Sequence, residues 1–236
     1  DHCPLRPAPQ QRGRERGDSL NTTRKIGLLG GSFNPAHGGH RAISLAARAA
    51  LGLDEVWWLV SPGNPLKSKA GMAPLSARIM SARKQARRAP IRPTAIEAQL
   101  GTCYTVDTLR ALVRRYPRHR FIWLMGEDNL HQFGQWKDWR GIARIMPIAV
   151  IARPGYTGSA RGSSVTSWLR RFVRPARLRS NWTNWRRPAL VHLRFRPDPR
   201  SATLLRQAIP LWHRQHEGAQ RRDLITHRMI PLESNP

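Results

Sequence analysis

Acidic side chains are scarce in this chain of 236 residues: 14 aspartates and glutamates stand against 41 lysines and arginines, for a formal net charge of +27. That balance excludes an acidic, cation-storing surface and favours anionic partners, whether nucleotides or nucleic acid. Arginine far outnumbers lysine and is spread through almost every segment, so a general positive field competes with a dedicated nucleic-acid surface. Cysteine is scarcer still. Cys3 and Cys103 are too few for a disulfide framework and their spacing fits no zinc site, which makes a reducing cytoplasm the simplest setting. No apolar run approaches the ~18 residues a membrane span requires. The N-terminal region is polar and Arg-rich, without the apolar stretch of a secretory signal. Internal repeats are absent as well. What remains is a globular profile, with 40% hydrophobic and 23% charged residues, and length enough for one α/β domain with a real core.

Residues 1–23 are rich in Pro, Gln and Arg without periodicity and read as a disordered basic tail. Beyond them, apolar runs alternate with helical patterns. Strands are expected at Lys25–Leu29, Glu55–Val60, Ile91–Glu97, Arg120–Met125, Ile148–Ala152 and Leu190–Phe195. A helix carrying Ile43, Ala46, Ala47 and Ala50 should stop at Gly52; others are expected at 75–89, 105–116 and 139–145, with a short one opening near Ser201. Such alternation implies right-handed crossovers and a doubly wound, mostly parallel α/β sheet, Rossmann-like in plan. The folded unit is expected over 24–210. Residues 211–236 are polar and basic, and their composition does not decide whether they fold. In sheets of this kind ligands bind beyond the carboxyl ends of the strands, so chemistry is sought there.

Directly after the first strand runs Gly30-Gly31-Ser32-Phe33-Asn34-Pro35-Ala36-His37-Gly38-Gly39-His40. Gly30 and Gly31 would let a phosphate approach the backbone closely, and Pro35 stiffens the turn. His37 and His40, three apart where a helix begins, would share one side with its exposed amides and dipole. Together they read as a cradle for a phosphoryl group. Metal binding has no nearby Cys, Asp or Glu to complete a set, and Ser32 as a nucleophile lacks a base and an orienting acid. Two structural histidines in a glycine turn are conceivable, though a turn does not call for them.

The segment resembles the G-x-F-x-P-x-H-x-G-H signature of the nucleotidyltransferase superfamily, with Gly31, Phe33, Pro35, His37, Gly39 and His40 in the specified places. Near the end of the core, Ser201, Thr203 and Arg206 match three positions of a second signature resembling I-S-S-T-x-x-R. Arg200 and Ala202 depart from it. A hydroxyl pair and a guanidinium at a helix start suit triphosphate oxygens. Between the two signatures the chain is similar to the nicotinate mononucleotide adenylyltransferase branch. The resemblance is carried by Ser61-Pro62-Gly63-Asn64-Pro65-Leu66-Lys67, by Tyr104-Thr105-Val106-Asp107-Thr108-Leu109, by Met125-Gly126-Glu127-Asp128-Asn129-Leu130 with Phe133, Trp136 and Trp139, and by Ala152-Arg153-Pro154-Gly155. Glu127 departs from the small or polar residue usual there, and the segment after Arg206 lacks the branch's apolar, Tyr-rich closing helix.

The resemblance implies transfer of AMP from ATP to nicotinate mononucleotide, giving nicotinate adenine dinucleotide and pyrophosphate, a step of NAD biosynthesis. It implies His37, His40, Lys67 and Arg206 at the reacting phosphates, Gly30, Gly31, Ser32, Phe33, Ser201 and Thr203 at ATP, and Thr105, Asp128, Trp136 and Arg153 at the mononucleotide. Mg2+ would travel with ATP, with few dedicated protein ligands. The rival readings are a phosphopantetheine adenylyltransferase or a cytidylyltransferase and, from another class, a nucleic-acid-binding protein. The last draws on Trp168, Trp182 and Trp185 interleaved with arginines over 168–187, although such runs are more often solvated loop and helix face. Oligomeric state is not readable.

Overall fold

The computed structural model describes residues 22–63, 71–152, 164–195, 202–216 and 221–230. Six strands, β1 (Lys25–Gly31), β2 (Glu55–Val60), β3 (Ile91–Thr94), β4 (Arg120–Gly126), β5 (Ile148–Ala152) and β6 (Leu190–Arg194), form one parallel sheet in the order β3-β2-β1-β4-β5-β6. Helices α1 (Gly38–Leu51) and α2 (Leu75–Ala86) cover one face. The opposite face carries α3 (Ile96–Leu100), α4 (Thr105–Arg115), α5 (Glu127–Phe133), α6 (Trp139–Ile145) and α7 (Ser164–Arg170). A short α8 (Ala202–Ala208) follows β6. The winding reverses between β1 and β4, which opens a crevice at their carboxyl ends.

The apolar runs become strands because both faces of the sheet are covered. Every residue of β2 is buried, including Glu55, whose carboxylate takes Arg92 Nε at 2.6 Å, Arg24 Nη1 at 3.3 Å and Trp57 Nε1 at 2.6 Å. Gly52 ends α1 in the left-handed region at φ 61°, as its position in sequence implied. The third strand is shorter than expected. It stops at Thr94 and residues 96–100 turn into α3. Pro93 offers no amide to the ladder, Thr94 Oγ1 takes the Ile96 N–H at 3.1 Å, and Asp223 takes the Ala95 N–H at 2.7 Å.

Gly30 and Gly31 have a packing reason of their own, beside any close approach of phosphate. A Cβ on Gly30 would lie 2.5 Å from Trp123 Cη2, and one on Gly31 would lie 3.3 Å from Phe33 Cε2. Gly30 is there so that β1 can pack against an indole.

The tryptophans of 168–187 are structural. Trp182 is 1% exposed and donates its Nε1 to the Leu51 carbonyl at 2.9 Å, plugging the gap under the end of α1. Trp168 stacks edge-on against Trp139 at 5.1 Å, and Trp185 packs against the α1 face of the core. Rings engaged in this way are not a platform for bases. The C-terminal region is docked as well: Trp212 is buried, and Asp223, 1% exposed, is bonded to Thr94 Oγ1 at 2.9 and 3.0 Å. Cys103 is disulfide-bonded rather than a free thiol. Among the described residues no helix is long and apolar enough to cross a membrane.

Candidate active site

The loop leaving β1 enters the crevice and turns back into α1. Phe33 sits there at φ 48°, a left-handed conformation that costs a non-glycine residue about 1–3 kcal/mol. Packing holds it: the ring is 1% exposed, stacked on Trp58 at 5.1 Å and against His40 at 4.7 Å. His37 is the N-cap of α1. Its Nδ1 accepts the Gly39 N–H at 3.1 Å, while His40 Nδ1 accepts the His37 N–H at 3.2 Å, a reciprocal capping box built from two imidazoles. A ring that accepts at Nδ1 carries its proton on Nε2, so the network fixes both histidines as Nε2–H donors. The rings lie 3.9 Å apart, at the positive end of a 14-residue helix. Donors at the positive end of a helix suit negative charge.

Arg206 closes the crevice from the far end of the sequence. Its Nη1 donates to the Asn34 carbonyl at 2.6 Å and its Nη2 to Thr203 Oγ1 at 3.2 Å, so α8 is pinned to the β1 loop. The Asn34 side chain in turn spans to the Gly71 carbonyl at 2.8 Å and the Ala73 amide at 3.2 Å.

On the other side of the switch, Glu127 and Asp128 open α5 directly after β4. Thr105 is the first residue of α4, as expected of a helix opener. Trp136, half-buried, stands edge-on to Trp123 at 6.3 Å and to Phe133 at 5.4 Å. Lys137 ties these two passages together, because its ammonium pairs with Asp107 at 3.0 Å and lies 4.5 Å over the Tyr104 ring. It is therefore committed to protein groups. The structure thus gathers Phe33, His37, His40, Thr203 and Arg206 around the loop that leaves β1, while Asp128, Thr105 and Trp136 belong to the layer on the opposite face of the sheet. Lys67, Arg153 and Ser201 lie outside the described residues.

Two buried charges that sequence reading passed over organise the base of the crevice. Arg78, 0% exposed, donates from Nε to the Ala73 carbonyl at 2.7 Å, from Nη1 to those of Ser32 at 3.0 Å and Ser61 at 2.5 Å, and from Nη2 to that of Pro62 at 3.3 Å. One guanidinium thus clamps the loops after β1 and β2. Glu97 lies beside it. Burial pushes the Glu97 carboxyl up to about 7, opposed by its hydrogen bond with Ser61 and by the charge of Arg78. A signal was available: Arg78 falls on the stripe Leu75, Ile79, Ala82, where a helix buries its face.

A fold of this order, with paired histidines at the first helix, defines a nucleotidyltransferase, and the family model described as cytidylyltransferase-like matches residues 28–208. Among curated proteins the chain is 60% identical over 217 residues to the probable nicotinate-nucleotide adenylyltransferase of Erythrobacter litoralis, covering 92% of this chain and 99% of that one. To the protein of the same description from Parvibaculum lavamentivorans it is 50% identical over 192 residues, 81% of this chain and 96% of the relative. The chain belongs to the nicotinate-nucleotide adenylyltransferase family. Among solved structures, a Plasmodium falciparum nicotinic acid mononucleotide adenylyltransferase complexed with NaAD shares the fold, with a TM-score of 0.59 at 16% identity over 78% of this chain and 83% of that one.

Proposed function

We propose that the chain transfers the AMP unit of ATP to nicotinate mononucleotide, releasing pyrophosphate. The observation that carries the proposal is the pair of imidazoles locked as Nε2–H donors at the N-terminus of α1, at the carboxyl end of β1 where the winding of the sheet reverses. The phosphate of the mononucleotide forms a bond to the α-phosphorus of ATP, and the bond to the bridging oxygen breaks, so pyrophosphate leaves with its electron pair. The attacking phosphate is already ionised and needs no general base. Catalysis is then positioning and charge stabilisation. His37 and His40 meet the charge developing at the α-phosphate. Arg206 and Thr203, with Ser201 and Lys67, bind the departing phosphates; Gly30, Gly31, Ser32 and Phe33 shape the wall against ATP.

For the mononucleotide, Asp128 holds ribose hydroxyls, Trp136 lends a π face to the pyridine ring, and the first-turn amides at Thr105 receive the carboxylate. Arg153 joins them in binding the mononucleotide. Magnesium fits as an ion carried on ATP oxygens: no group of three His, Cys, Asp or Glu side chains among the described residues could hold a metal, and Mg2+ is commonly bound through substrate phosphates and one or two carboxylates. It would neutralise phosphate charge. Glu127 and Asp128 are the carboxylates at hand. A cytoplasmic place of action belongs to the same proposal, as does a catalytic unit spanning 24–210 with 211–216 and 221–230 docked upon it.

The test is pyrophosphate release by the purified protein across a panel of acceptors. Turnover with ATP and nicotinate mononucleotide, and not with phosphopantetheine or with CTP and a phosphorylated alcohol, is expected. Turnover with either of the latter alone would replace this reading with its rival.

A further inference from the structure

Ala50 lies in the last turn of α1, thirteen residues beyond His37, which at 1.5 Å per residue is ~20 Å from the histidine pair. There, between the end of α1, residues 173–179 and the edge strand β6, the surface folds into a cavity of about 540 Å³. Arg174, Arg179, His192 and Arg194 line it together with Val173 and Phe195, and none of its ten lining residues is acidic. We propose that this cavity is a second binding site, apart from the reacting centre, for an oligophosphate-bearing ligand of nucleotide size.

Three observations carry it. The Nε of Arg174 is buried without a hydrogen-bond partner. A buried charged donor left unmet is unfavourable, and an anionic oxygen is the partner it lacks. Arg179 is fixed rather than floppy, its Nε on the Ala50 carbonyl at 3.1 Å and its Nη1 on that of Ala176 at 3.2 Å, which orders the guanidinium before any ligand arrives. His192 and Arg194, two apart on β6, project from the same side of the strand.

Several guanidinium forks converging on one concavity match the many oxygens of a di- or triphosphate; a lone carboxylate would leave most of those donors without partners. Val173, 41% exposed, and Phe195 add apolar wall for a non-phosphate portion, and the volume falls within the ~300–1,000 Å³ usual for small-molecule sites. The one carboxylate acting on this group is Glu127, which faces His192 from α5 and is not part of the lining. Nucleic acid is a poorer occupant, since Trp182 is buried and Trp185 packs against the core rather than standing free for bases.

The experiment is isothermal titration of the full chain with inorganic tripolyphosphate and, separately, with ATP, in wild type, in Arg174→Gln/Arg194→Gln and in Arg179→Gln. Wild type is expected to bind tripolyphosphate at two classes of site. Each variant should weaken one class about tenfold or more while kcat at saturating substrates stays within about twofold. Far-UV circular dichroism confirms folding, and the two independent variants guard against loss of structure in either. Tighter binding of ATP than of tripolyphosphate at this class would show that the nucleoside is held too; equal binding would assign recognition to the phosphates alone. Unchanged affinity and stoichiometry in both variants would overturn the site. So would a single class of binding that weakens with salt alike in all proteins, or single-stranded RNA binding lost in the variants while tripolyphosphate binds at the reacting centre only.

Discussion

Replacing Arg78 by Met should damage both stability and turnover, although no substrate need touch this side chain. The guanidinium is wholly buried and donates to the carbonyls of Ala73, Ser32, Ser61 and Pro62. Methionine refills most of the volume but none of the donors. At about 1 kcal/mol for each carbonyl left without a partner, the loss is about 4 kcal/mol. For a chain of this size 1 kcal/mol corresponds to ~2–4 °C in Tm, so the melting temperature should fall by ~8–16 °C. Lysine keeps the charge and can satisfy only some of the carbonyls, so Arg78→Lys should lie between the two. The kinetic consequence is separate. Ser32 belongs to the loop that carries His37 and His40, and misplacing reacting groups by ~1 Å costs on the order of 10² in rate. Calorimetry and steady-state kinetics well below the transition, on wild type and both variants, measure the two effects. A Tm within about 3 °C of wild type together with unchanged kcat in Arg78→Met would refute the clamp.

Three other outcomes are expected. His37→Ala or His40→Ala should lower kcat by ~10²–10⁴-fold with a much smaller change in KM, since imidazoles that meet developing charge act in the transition state; near-full kcat in either removes the role. The acid mononucleotide should be preferred over the amide at least tenfold in kcat/KM, because helix-start amides near Thr105 leave an amide NH2 unpaired at a cost of ~1–3 kcal/mol. Trp136→Ala should reduce turnover of both, and equal efficiency in the wild-type protein would contradict a carboxylate pocket. Glu97, raised from 4.5 to about 7 by burial, binds its proton more tightly folded than unfolded. Its contribution is therefore fully present below about 4.5 and lost as pH rises through about 7, a change on the order of 3 kcal/mol. Urea midpoints at pH 5 and pH 8 should converge in Glu97→Gln; the same pH slope in variant and wild type would exclude Glu97 as its source.

Much of the sheet was legible because buried parallel strands are apolar on both faces: Glu55–Val60 and Ile148–Ala152 fall where their patterns put them. The first-helix motif was legible for a different reason, since two histidines beside glycines at a strand-to-helix turn have few structural uses. What stayed hidden depends on partners far along the chain. Asp223 ends β3 from about 130 positions away, Trp123 explains Gly30, and Asp107 takes the charge of Lys137. Arg78 was within reach, because a charged residue on a helix's apolar stripe must have buried acceptors. The tryptophans of 168–187 misled in the opposite direction: spacing among arginines says nothing of which rings point inward, and Trp182 does.

The central claim is that the crevice between β1 and β4 joins AMP to a pyridine mononucleotide by direct displacement. ATP labelled at the α-phosphate, incubated with nicotinate mononucleotide and the purified chain, tests it most directly through the fate of the label. The account predicts labelled dinucleotide and pyrophosphate formed one to one, with both falling together in His40→Ala. Pyrophosphate released with the label left on free AMP, or a wild-type rate matched by His40→Ala, would contradict it.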